Sequence, residues 1–118
     1  MFEIKVNTLK NRLYVTVDGT VGASELDAYK ASMKKNVTML KPGFTALLDL
    51  RKTSVFDQDT MMQLQGTKAI AVAGGLSKSA MVVESATLKM QMNRNFKDVG
   101  PQDRAFNDMA EAEQFLNE

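Results

Sequence analysis

Two stretches, "FTALLDL" at 44–50 and "SAMVVES" at 79–85, are apolar on both of the faces that a strand presents. A strand covered on one side alternates apolar and polar residues, whereas one covered on both sides reads as a near-continuous apolar run. Two such ribbons with a helix-length segment between them predict parallel strands joined by a crossover helix. That requirement constrains the fold more than any other feature of the chain.

The N-terminal segments behave differently. In "FEIKV" Phe2, Ile4 and Val6 alternate with Glu3 and Lys5, and "LYVTV" alternates again. These half-buried strands predict an antiparallel hairpin turning through "NTLKNR". The period then becomes helical, with Leu26, Tyr29, Met33, Val37 and Leu40 at three- and four-residue steps. Ser24 is the expected N-cap with Asp27 three residues on, and Lys41–Pro42–Gly43 is the stop.

A second helix is expected from about Asp57 to Val72, ended by Gly74–Gly75. A third runs from Thr87 to Phe96, with Ser85 as N-cap and Leu88, Met92, Asn95 and Phe96 on one side. "RAF" supplies a short last strand, and Asp108 with Glu111 caps a terminal helix whose inner face is Met109, Ala112, Phe115 and Leu116. The expected order is β-β-α-β-α-β-α-β-α. This is an α/β fold with a mixed, mainly parallel sheet, an N-terminal hairpin and helices packed on it. No repeat or linker interrupts residues 1–118, which read as one domain.

Composition narrows the chemistry. The chain has neither cysteine nor histidine, which removes thiolate nucleophiles, sulfur metal sites and the usual proton carrier at neutral pH. Carboxylates remain, but no Asp-rich loop of calcium-binding spacing occurs, so no metal or cofactor is expected. A formal net charge of +1 offers nothing to attract nucleic acid. No apolar run reaches the roughly 18 residues of a membrane span, and the charged start "MFEIKVNTLK" is unlike a signal-peptide core. The expected location is cytoplasmic.

Several phrases then carry a resemblance. Val17–Asp18–Gly19 follows the second strand, Leu48–Asp49–Leu50 lies in the central strand, and "AFNDMAEAEQFL" closes the chain. With the element order, these resemble the STAS domain (sulphate transporter and anti-sigma factor antagonist) over nearly the whole chain. The resemblance implies a non-enzymatic regulatory module that binds protein partners, a kinase-like one among them. Anti-sigma antagonists carry "D-L-x-x-V-x-x-I-D-S-S-G-L" at the central strand, with a phosphorylated serine after the second Asp. Here Asp49–Leu50 opens that phrase, Asp57 matches the second Asp, and Gln58 falls on the serine position, followed by Asp59 and Thr60. Gln58 has no hydroxyl, so the serine switch is missing at that position.

The expected contact surface is therefore Asp57, Gln58, Asp59, Thr60 and Met61, with Ser85, Thr87 and Lys89 beside it. On local physics alone, acids and amides at 57–59 are what a helix start favours, because its free N–H groups and dipole attract them. The alternative function is a carrier of a small lipid-like apolar ligand, suggested by 9 methionines. An enzyme using Asp57, Asp59, Lys78 and Lys89 ranks below both. "VAGGLSKS" at 72–79 has the composition of a phosphate loop but the wrong order, helix before strand. A homodimer through the hairpin edge or a methionine-rich helix face is the self-association alternative, opposed at that edge by Lys5 and Lys10.

Overall fold

The two apolar ribbons lie side by side near the middle of the sheet. The computed structural model describes residues 1–101 and 103–118. Its elements are β1 (Phe2–Asn7), β2 (Arg12–Asp18), α1 (Ala23–Val37), β3 (Thr45–Lys52), α2 (Gln58–Ala73), β4 (Lys78–Val82), α3 (Ala86–Phe96), β5 (Asp103–Phe106) and α4 (Met109–Asn117). The strands stand in the order β1-β2-β3-β4-β5. β1 is antiparallel to β2, and every other pair is parallel.

Alternation along each strand assigns the two faces. Leu47 of β3 with Ala80 and Val82 of β4 packs against Ala112 and Leu116 of α4. Ala46, Leu50, Met81 and Val83 point the other way, joining Leu13, Val15 and Val17 beneath Met33, Met61, Leu88 and Met92 of the first three helices. Both faces of β3 and β4 are thus covered, which is why neither strand alternates in polarity.

One helix start differs from expectation. Gly22, not Ser24, is the N-cap of α1, with no side-chain cap bond, and Ser24 lies within the first turn. Glycine is accepted at an N-cap in place of a side-chain acceptor, and the Leu26 N–H donates to the Gly22 carbonyl at 3.0 Å. The helix also ends at Val37, so Leu40 reaches the core from the following turn. The Gly74–Gly75 stop is as expected. The Gly75 N–H donates to the Val72 carbonyl and the Leu76 N–H to the Ala71 carbonyl, a Schellman closure, with Gly75 at φ +109°.

Candidate functional site

All four β→α connections leave from one rim, the C-terminal ends of the parallel strands. Crevices at such rims are where open α/β sheets bind their ligands. The loop after β3 descends through Thr53–Phe56, and Phe56, 9 % exposed, anchors it in the core. Val55 beside it faces solvent. The Thr53 hydroxyl donates to the Gly19 carbonyl at 2.7 Å, tying this loop to the one after β2.

Asp57 is the N-cap of α2 and accepts the Thr60 N–H at 2.7 Å. Hydrogen bonds from Thr60, the backbone N–H first, hold the Asp57 carboxyl below the usual carboxylate range, so it is an anion at neutral pH. Ser85 is the N-cap of α3, its hydroxyl accepting the Leu88 N–H at 3.1 Å. Gln91, midway along α3, fastens the loop before α2 to that helix. Its amide donates to the Phe56 carbonyl at 2.6 Å, and its carbonyl accepts the Phe56 N–H at 2.9 Å.

The eight residues expected to form a contact surface divide. Asp57, Gln58, Asp59, Thr87 and Lys89 are exposed and Ser85 is half-buried. Thr60 and Met61 turn into the core and are corrected out of the surface. The physical reason is helix phase: once Asp57 caps α2, positions 60 and 61 fall on the stripe that continues through Thr67 and Ala71. Met62, 60 % exposed, and Met90, 65 % exposed, take their place as apolar groups beside the rim. The four residues considered for catalysis do not meet. Lys78 lies at the opposite end of β4, where its ammonium donates to the Phe115 and Glu118 carbonyls at the end of α4. Among the described residues no group of three or more acidic side chains converges as a metal site would require.

Sequence reasoning missed Gln91, although it stands three residues beyond Leu88, on the inward side of α3. It also missed a polar cluster at the other rim. There the Lys68 ammonium on α2 reaches Asp103 of β5 at 3.2 Å and the Pro101 carbonyl at 2.8 Å, and the Ser79 hydroxyl donates to Asp103. A lysine in line with Met61 and Leu64 on the core-facing stripe was the available signal.

Lys68, Ser79 and Asp103 close one end of a mainly apolar cavity of about 50 Å³ between the sheet and the helices, lined also by Tyr29, Met33 and Met92. Burial, with the Asp103 charge behind it, pushes the Tyr29 phenol above its usual range. Sites for drug-sized ligands run to roughly 300–1,000 Å³.

No protein-family model matches the chain, and no curated protein matches it in sequence. Solved structures do share its fold. A protein of the DUF3478 family with a SpoIIAA-like fold, from Shewanella loihica PV-4, superposes with a TM-score of 0.75 at 11 % identity, covering 98 % of this chain and 93 % of that one. The anti-sigma factor antagonist SpoIIAA in its unphosphorylated form gives 0.67 at 14 % identity, covering 98 % and 96 %. The Bacillus cell fate determinant SpoIIAA in its phosphorylated form gives 0.68 at 14 %, covering 98 % and 99 %. The fold is SpoIIAA-like, which is the STAS-like architecture read from the sequence.

Proposed function

We propose that this chain acts as a non-enzymatic, cytoplasmic regulatory module of one domain, binding a protein partner through the C-terminal rim of its sheet. The observation that carries the reading is the exposed start of α2, held to the body of α3, with the start of α3 beside it. Gln91 holds the loop before α2 to α3 by two hydrogen bonds, so the rim offers a preformed surface. On it Asp57, Gln58, Asp59, Thr87 and Lys89 mix charge and amide groups with the exposed side chains of Val55, Met62 and Met90. Charge flanking apolar anchors is the composition of a docking patch rather than of a reaction centre. No helix among the described residues is long and apolar enough to cross a membrane.

One fold neighbour bears the description anti-sigma factor antagonist and another is in a phosphorylated form, and both support a regulatory role. Gln58 stands at the position of the family's serine, so control here works without a phosphate at that residue. A kinase-like protein is the partner class that the resemblance implies. The carrier reading requires α2 and α3 to part, since the cavity of about 50 Å³ accommodates little more than a few water-sized groups.

The test is affinity capture from the source cell with quantitative mass spectrometry. Gln58→Arg and Met62→Asp alter the rim without touching the core, and Lys5→Glu on β1 is the distant control. A partner retained by Lys5→Glu and lost with both rim variants is the expected result. Capture unaffected by the rim variants overturns the surface. Native mass spectrometry of the purified chain, showing a co-purified apolar molecule, would favour the carrier instead.

A further inference from the structure

The two edges of the sheet differ. At β1, Glu3 and Lys5 pair with each other at 3.5 Å. Among the described residues β5 bonds only to β4, and a groove of about 420 Å³ runs along its free side between Lys89 and Asn93 of α3 and Phe115 of α4. The Phe106 carbonyl accepts the Val83 N–H, so by alternation the backbone groups of Arg104 and Phe106 face β4 while those of Asp103 and Ala105 face the groove. Ala105 therefore presents a strand-type donor and acceptor at an open edge.

The unpaired charges of the groove are of one sign. The Arg104 guanidinium lies over Phe115 at 5.2 Å and Phe106 at 5.7 Å, an aromatic platform that orients its planar fork. Among the described residues no acid pairs with Arg104 or Lys89. Glu111 and Glu118 line the far side of Arg104 without bonding to it. The one acid that lines the groove among the described residues, Asp103, is taken up by Lys68 and Ser79. A second copy of β5 would bring two sets of these cations to one seam, whereas an acidic strand would neutralise them.

We propose that the free edge of β5 is a docking strip for an extended acidic peptide segment of a protein partner. The segment adds as a further strand on the Ala105 main chain, and one of its carboxylates is clamped by Arg104 and Lys89. The strip meets the rim surface described above only at Lys89, and the inference does not rest on that surface.

The experiment titrates ¹⁵N-labelled protein, observed by NMR, with a capped hexapeptide of alternating valine and glutamate, up to about 1 mM. Amide shifts centred on residues 103–106 are expected. Arg104→Gln, with its fold checked by circular dichroism, is expected to weaken binding about tenfold. Ala105→Pro, which removes the edge N–H and leaves both cations, weakens it as well. Gln58→Arg leaves it unchanged, which separates this strip from the rim. No shifts by the end of the titration, shifts confined to other strands, or equal binding by the glutamine-for-glutamate peptide overturns the proposal. A peptide-independent rise in mass with protein concentration, lost in Ala105→Pro, assigns the edge to a second copy and overturns it too.

Discussion

At the rim where the parallel strands begin, polar side chains are paired with one another, and Arg12, Ser79 and Asp103 among them are buried. Arg12, 3 % exposed, donates to Thr45, Glu113 and Asn117, and Glu113 also accepts from Tyr14 and Lys10. Lys78 ties the end of α4 to the same rim, and Lys68, Ser79 and Asp103 tie α2 to β5. At the rim where those strands end, Asp57 and Ser85 are taken up in the caps of their own helices, and Gln58, Asp59 and Thr87 make no side-chain bond among the described residues. Similar residue types thus serve two ends. One end consumes their hydrogen-bonding capacity in holding helices to the sheet, and the other leaves Gln58, Asp59 and Thr87 facing solvent.

The largest test of that contrast is at Lys68. Lys68→Met leaves Asp103 buried with only the Ser79 hydroxyl, and breaking one partner of a buried pair costs about 3–5 kcal/mol. Urea unfolding measures this, and the double variant Lys68→Met/Asp103→Leu is expected to recover most of the loss, because no charge is then stranded. A single variant within about 0.5 kcal/mol of the parent removes the distinction between the rims.

Next in size is Gln91→Ala. It leaves the Phe56 N–H and carbonyl without their partner beside a buried ring, and an unpaired buried group costs about 1–3 kcal/mol. Amide hydrogen exchange at Phe56 is expected to accelerate while exchange in β3 and β4 stays slow. Uniform acceleration across the sheet would mean that the clasp supports the whole fold rather than the rim.

A smaller effect is gated by pH. Burial pushes the Glu113 carboxyl up, but hydrogen bonds from Tyr14 and Lys10 and the Arg12 charge outweigh it and leave it below its ordinary value near 4.5. Hydrogen bonding from Arg51 likewise lowers Asp49 from 3.8. A carboxyl whose folded value is depressed contributes stability above its unfolded value and loses that contribution as pH falls through the folded one. Stability from these groups is therefore flat between about pH 6 and 7 and declines below about pH 4.5. Glu113→Gln is expected to flatten part of that acid slope in thermal melts, and an unchanged slope would show that the network is not anchored on this carboxylate.

How much of this was legible depends on which residues carried it. The order of elements was, because the apolar runs at 44–50 and 79–85 have no other good placement, and caps such as Asp108 work within three residues of sequence. Thr60 and Met61 fall on the surface only if the run after Asp57 is treated as one patch. Phasing it from the cap turns both inward with Leu64 and Ala71. The Lys68–Asp103 pair joins positions 35 residues apart on different elements, and only its lysine half stood out, as a charge on an apolar stripe. The Gln91 clasp depends on a backbone partner in a loop, which no side-chain pattern encodes.

The smallest stability effect sharpens the comparison most. Gln58 is exposed, follows the cap rather than forming it, and has no side-chain hydrogen bond among the described residues. Gln58→Arg places a cation at a helix start, where the dipole opposes it, and a surface change of this kind stays within about 0.5 kcal/mol. Gln58→Glu is expected to be neutral or slightly stabilising by the same reasoning with the sign reversed, although Asp57 and Asp59 beside it blunt the gain through like-charge repulsion. If the rim is a docking surface, both variants keep the parent's melting temperature within a few degrees and still change partner capture, the arginine more than the glutamate. A variant that melts early and loses its partner would instead mark Gln58 as a structural residue of α2. Binding lost with stability kept is the outcome that a structural role at this position does not produce.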